Sequence, residues 1–140
     1  MSTTLRKSDD FNKLQEGTLP GIMGVEILRV DAAGVQARMA VTPRHLAPNG
    51  FLHAASVITL ADTSCGYGCI FNLPDGAKSF TTVELKSNHI GTARDGIIEC
   101  RATPVHLGRT TQVWDATVTD AGGKTIALFR CTQMVLWPKA

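Results

Sequence analysis

From Leu52 to Phe71 the chain reads LHAASVITLADTSCGYGCIF, a stretch of helical length that is apolar or small on every side. A helix with no polar face must be enclosed by the rest of the fold. Its only charged residue is Asp62, near the middle. Gly66 and Gly68 lower its helix propensity, and such small residues let a neighbouring element approach closely.

The flanking sequence indicates what does the enclosing. Residues 5–17 predict a short amphipathic helix, with Ser8 as N-cap, Leu5, Phe11 and Leu14 as its apolar side, and Gly17 as its end. Leu19-Pro20-Gly21 reads as a turn. Strands are expected over 24–30 and 35–42, joined by the hairpin turn Asp31-Ala32-Ala33-Gly34. Two prolines mark 43–50 as a loop, and Asn72–Lys78 is another. Four further strands follow, over 80–89, 97–105, 110–119 and 125–136, separated by the turn signals Arg94-Asp95-Gly96, His106-Leu107-Gly108 and Asp120-Ala121-Gly122-Gly123. Two strands, one apolar helix and four strands make an α+β fold, an antiparallel sheet curved round one long central helix. The chain of 140 residues is read as a single domain, with 1–20 as an N-terminal helical extension and 21–137 as the core.

In the last strand Ile126, Leu128, Arg130, Thr132, Met134 and Leu136 face one way. Thr125, Ala127, Phe129, Cys131, Gln133 and Val135 face the other. Both faces carry apolar side chains, so a second layer or a partner subunit is expected on the outer one, and the chain is read as a homo-oligomer.

A net charge of +2, no basic run and only 6% aromatic residues argue against a nucleic-acid partner. The longest apolar stretch, Val57–Leu60, is too short for a membrane span. MSTTLRKSDDFNK lacks the apolar core of a secretory signal, so a cytoplasmic location is expected. Cys65, Cys69, Cys100 and Cys131 contain no CxxC pair and read as small buried residues. With His45, His53, His89 and His106 they form no metal-binding spacing, so no metal is expected.

Asp62 is the sharpest chemical signal. Its one-turn neighbours Ile58, Thr59, Cys65 and Gly66 include no cation. Either an Arg on the sheet pairs with it, or it lines a pocket where burial tunes it as a base or nucleophile. His53 lies half a helical turn out of phase with Asp62, which argues against a His–Asp dyad in one chain and places His53 at the helix start. Asn49-Gly50 leads into that first turn, and Ala54-Ala55 keep it small. Unpaired N–H groups there can polarise a carbonyl. Alternation places Thr82, Glu84, Lys86 and Asn88 on one side of their strand and Thr81, Val83 and Leu85 on the other. Glu84 is a second carboxylate candidate, expected to be exposed. Arg44, Lys86, Arg94 and Arg109 read first as surface charges.

The segment NGFLHAASVITLADTSCGYG (Asn49–Gly68) resembles the hotdog-fold thioesterases of the phenylacetate-degradation type. Their usual pattern is a Gly, two residues, His-Gly-Gly, then Leu-Ala-Asp about two turns later. Gly50, His53 and Leu60-Ala61-Asp62 stand at the matching spacings, and HLGRTTQVWDATVTDAGGKTIA (His106–Ala127) also matches. The resemblance covers about residues 20–137. It implies a hotdog fold and an acyl-CoA thioester hydrolase acting on an aryl or a short- to medium-chain substrate. No cofactor is implied beyond the coenzyme A of the substrate. Assembly would be a dimer with paired helices and shared sites, commonly within a tetramer.

In that resemblance Asp62 is general base or nucleophile, and the Ala54 N–H, beside His53, polarises the thioester carbonyl. Thr82, with Thr81, lines the pocket from the partner subunit. His106, Gly108, Arg109 and Thr110 contact the coenzyme A nucleotide. Two positions depart from the pattern. Ala54-Ala55 stand where the family has Gly-Gly, and Ala47 stands where an amide side chain is common, leaving Asn49 as the nearest amide. A non-catalytic acyl-CoA binding module and a hotdog dehydratase or hydratase are the alternative readings.

Overall fold

The computed structural model describes residues 5–139. Helix α1 spans Ser8–Leu14, shorter than the expected 5–17. Ser8 is its first residue and not its cap. The N-cap is Lys7, and the Asp10 carboxylate accepts the Arg6 and Lys7 N–H groups at 3.0 and 2.9 Å, as an acid in the first turn can. Phe11 is fully buried, whereas Leu14 is exposed. A second short helix, α2 (Leu19–Met23), replaces the expected turn. Pro20 sits in its first turn, where a missing N–H costs nothing, and Gly24 ends it in the left-handed region at φ 86°.

Strands β1 (Val25–Asp31) and β2 (Gly34–Ala40) form the expected hairpin. Its turn is held by Asp31 Oδ1, which accepts the Ala33 and Gly34 N–H groups. A 3-10 turn at Pro43–His45 leads towards the long helix α3 (Ala54–Phe71). Strands β3 (Ser79–His89), β4 (Ile97–Leu107), β5 (Thr111–Thr119) and β6 (Thr125–Leu136) complete one antiparallel sheet in the order β1-β2-β4-β5-β6-β3. His106 and Leu107 belong to β4 and not to the turn after it.

The sheet wraps α3 from one side. A Cβ on Gly68 would sit 2.4 Å from the Trp114 ring, and one on Gly66 would sit 2.9 Å from the Phe80 ring. Both glycines thus let aromatic rings from β5 and β3 lie against the helix backbone. All four cysteines are buried and free, and burial pushes the Cys69 and Cys100 thiols up to about 12. Phe11 packs on the Tyr67 ring, with centroids 4.7 Å apart. Asn12 exchanges two hydrogen bonds with the backbone of Ile27, so α1 occupies part of the free edge of β1.

The enclosure of α3 is incomplete. Ala55 is exposed, and Ile58, Thr59 and Asp62 are only half-buried. These residues recur at helical spacing and form one stripe. The expectation of burial holds for Ser56, Val57, Leu60, Ala61 and Ser64–Cys69 and fails along this stripe. Although α3 is long and apolar enough to cross a membrane, half of it is buried in the protein. On β6 the alternation is as read from Ala127 onward, whereas Ile126, read with the outer face, is buried in the core. Ala127, Phe129, Cys131, Gln133 and Val135 are buried, while Leu128, Met134 and Leu136 are exposed on the outer face.

Candidate functional site

The entry to α3 is built on a histidine the sequence did not mark out. His45 is fully buried. Its Nδ1 accepts the Thr42 N–H at 2.9 Å, so its proton is on Nε2, which donates to the Met23 carbonyl at 2.7 Å. The His45 carbonyl accepts from the His53 N–H and the Ser56 hydroxyl, both at 2.9 Å. The ring ties the loop to the end of α2, and the carbonyl holds the first turn of α3.

His53 is the N-cap of α3, and its Nδ1 accepts the Ala55 N–H at 2.9 Å. It makes no contact with Asp62, consistent with the phase argument. Ser56 and Val57 donate to the His53 carbonyl. Among the described residues, the N–H of Ala54, which is exposed, has no protein partner. Asn49 Oδ1 accepts the Phe51 N–H at 3.1 Å, so this amide is engaged in its own turn.

Two turns along α3, Asp62 lies on the uncovered stripe. Among the described residues no cation lies within ion-pair distance of it. The ion pairs present, Arg29–Asp31, Arg38–Glu26 and Arg130–Asp115, are all elsewhere. Among the described residues, no Arg on the sheet of the same chain pairs with Asp62. Its one polar side-chain contact is Thr82 Oγ1, 3.4 Å from Asp62 Oδ1. Burial holds the Asp62 carboxyl above the usual carboxylate range, and the Thr82 hydroxyl only partly opposes this.

Thr82 reaches Asp62 within the same chain. A bulge explains which β3 residues face inward. The β3–β6 register shifts between Thr82 and Glu84, leaving Val83 unpaired. Thr82 pairs with buried Gln133, but after the bulge Leu85 and Ser87 pair with Cys131 and Phe129. The expected alternation over Thr82, Glu84, Lys86 and Asn88 is therefore broken. Glu84 pairs with Thr132 on the outer face, away from Asp62. Thr81 pairs with Met134, also outward, so it does not join Thr82. Gln133, which the sequence placed on a face without giving it a role, is fully buried, with its Oε1 2.7 Å from Thr82 Oγ1.

The residues matched to nucleotide binding lie at the β4–β5 connection. His106, Arg109 and Thr110 are exposed. A Cβ on Gly108 would meet His106 Nε2 at 2.6 Å and the Thr111 carbonyl at 2.8 Å, so only glycine fits this turn. The Arg109 guanidinium lies 4.2 Å from the centroid of the Trp137 ring, whose Nε1–H donates to the Arg109 carbonyl. No described contact joins this turn to Asp62.

Asp62 and the Ala54 N–H are eight residues apart on one helix, or about 12 Å along its axis. One carbonyl carbon cannot meet both from the same chain. A concavity on the outer face of the sheet is lined by residues such as Gln36, Glu99 and Arg101, and Asp62 is not part of it.

The sequence profile of the thioesterase superfamily matches residues 49–127, more than half of the chain and the whole of the helix bearing Asp62. The chain belongs to the thioesterase superfamily. Its architecture is the hotdog fold. The 1,4-dihydroxy-2-naphthoyl-CoA hydrolase of Listeria monocytogenes is 28% identical over 110 residues, 79% of this chain and 89% of the relative. The enzyme of the same name from Escherichia coli is 28% identical over 129 residues, 90% of this chain and 92% of the relative. The crystal structure of a variant of thioesterase PA1618 from Pseudomonas aeruginosa superposes with a TM-score of 0.90 at 26% identity, covering 96% of each chain.

Proposed function

We propose that this thioesterase hydrolyses an acyl-CoA thioester at a site shared by two copies of the chain. The observation that carries this reading is Asp62: a half-buried carboxylate without a cation, on the one stripe of the core helix that its own sheet leaves uncovered. A second copy running antiparallel along this stripe covers it and brings the Ala54 N–H of the partner subunit towards Asp62. The exposed outer-face residues Leu128, Met134 and Leu136 fit a further dimer-to-dimer contact.

In the shared site the thioester oxygen points at the Ala54 N–H of the partner subunit. Asp62 takes a proton from water as the water oxygen attacks the carbonyl carbon. The negative charge that develops on oxygen is held by that N–H, a contribution worth about 10²–10³ in rate where such donors have been removed. The tetrahedral intermediate collapses, the C–S bond breaks with its electron pair leaving on sulfur, and Asp62 returns the proton to the thiolate. Arg109, stacked on Trp137, supplies a fixed cation for the phosphates of coenzyme A.

The acyl group is aryl or short- to medium-chain. The two relatives named for an aromatic acyl-CoA favour the aryl class. The test is a hydrolysis screen over aryl, short and long acyl-CoAs, following release of free thiol. The proposal expects turnover with an aryl-CoA. Binding of every member of the panel without turnover would make the chain a binding module instead.

A further inference from the structure

We propose that Gln133 is a positioning residue for Asp62: it holds the Thr82 hydroxyl, and the direction of the Gln133–Thr82–Asp62 hydrogen-bond chain reverses with the proton on Asp62. The inference rests on reading Asp62 as the base and specifies how the fold serves both of its protonation states.

The argument is a count of donors. The Thr82 hydroxyl has one proton and stands between two acceptor oxygens, Gln133 Oε1 at 2.7 Å and Asp62 Oδ1 at 3.4 Å. It cannot donate to both. With the amide in this orientation the proton goes to Gln133, whose Nε2 lies 3.4 Å from Cys131 Sγ. Within this chain Asp62 is then paired only if it is protonated and donates to the Thr82 oxygen. A half turn of the amide inverts every link. Gln133 Nε2 donates to Thr82 Oγ1, the Thr82 proton turns to the Asp62 carboxylate, and the Cys131 thiol donates to Gln133 Oε1. Both arrangements pair every group, and Gln133 has no exposed surface to draw on water instead.

The amide at position 133 can serve both, because it offers a donor and an acceptor that exchange places by a half turn. The neighbouring titratable groups do not supply the missing partner. Cys65, one turn along α3, is held well above its ordinary range by burial. Cys131 is already part of the chain, Cys100 is buried on β4, and Glu84 is on the opposite face of β3. The ionised arrangement ends on a charge and is the stronger one. Loss of Gln133 therefore disfavours the ionised form of Asp62 more than the neutral form.

The experiment is a carbon-detected NMR titration of the Asp62 carboxyl in the intact protein, assigned by its absence in Asp62→Asn. Thr82→Val is expected to raise the titration midpoint by about one pH unit, the effect of losing a hydroxyl donor to a carboxylate. Gln133→Met, similar in volume and without donor or acceptor, is expected to raise it in the same direction and to add nothing in the Thr82→Val background. An unchanged or lowered midpoint in Gln133→Met overturns the proposal. A readout that needs no variant at position 133 is the nitrogen resonance of the Gln133 amide. It is expected to titrate in step with Asp62 and to lose that response in Thr82→Val. An amide that stays silent through the Asp62 titration overturns the proposal. Thiol release by Asp62→Asn reports separately on the base assignment, so the two readings fail in different experiments.

Discussion

Asp62 of α3 and Thr82 of β3 stand 3.4 Å apart, carboxylate to hydroxyl, and this is the only side-chain hydrogen bond to Asp62 among the described residues. One long contact from a neutral donor does little against burial. The Asp62 carboxyl is raised above its ordinary range, with desolvation as the leading cause.

The pH dependence follows with opposite signs for activity and stability. A base must be ionised, so kcat/KM falls as the pH drops through the raised Asp62 value, above the ordinary aspartate figure of about 3.9. Between the two values the folded chain binds more protons than the unfolded one. The contribution of Asp62 to stability therefore rises as the pH falls through the raised value and is complete below the ordinary one. Asp62→Asn removes that slope. Rate profiles and thermal melts across the acidic range check both signs. Activity persisting unchanged down to the ordinary carboxylate range contradicts them.

Ala54→Pro is expected to fold normally and lose about 10²–10³ in turnover, the cost of one oxyanion donor. Proline suits the first helical position, and the preceding residue His53, at φ −69° and ψ 135°, already has the backbone that a following proline requires. Mixing Ala54→Pro with Asp62→Asn protomers then tests the shared site. A mixed dimer keeps one site with both groups intact, so turnover returns. Two inactive variants that stay inactive after subunit exchange indicate a site within one chain.

Arg109→Ala is expected to weaken binding of a full coenzyme A thioester by about 1.5–3 kcal/mol, the value of a hydrogen bond to a charged group. It should leave a pantetheine thioester unaffected. Equal losses for the two place Arg109 away from the nucleotide.

The succession of strands along the chain and the central helix were legible because long apolar runs and Gly-Asp turns mark them directly, but the crossing of β3 to pair with β6 and not with β4 was not, because a run of four strands reads equally well as a meander. Asp62 was legible as the one acid of the core helix with no cation within a turn of it, but whether an Arg on the sheet paired with it was not, because that depends on strands distant in sequence. Nor was the facing of β3. Thr81-Thr82-Val83-Glu84-Leu85 fits either register, and only pairing with β6 reveals that Val83 bulges and Leu85 pairs with Cys131. Helix α2 was hidden because Leu19-Pro20-Gly21 is also a good turn. Gln133 and His45 went unread because a buried polar side chain is defined by partners distant in sequence, Thr82 and Met23.

The two glycines in α3 make separable predictions. Gly68→Ala is expected to cost about 1–3 kcal/mol by overpacking, because its Cβ would lie 2.4 Å from the fully buried Trp114 ring. Gly66→Ala should cost less, since Phe80 is only half-buried and its ring can shift. Denaturant unfolding of both variants gives the order, and a larger loss at Gly66 contradicts this account of helix–sheet contact.

The most direct measurement is thioester turnover and thermal melting on the same preparation of Asp62→Asn. The account predicts a folded oligomer, at least as stable as the parent at neutral pH because a desolvated charge has been removed, with most hydrolysis abolished. A folded Asp62→Asn protein that turns over an acyl-CoA at close to the parent rate contradicts the assignment of Asp62 as the catalytic carboxylate.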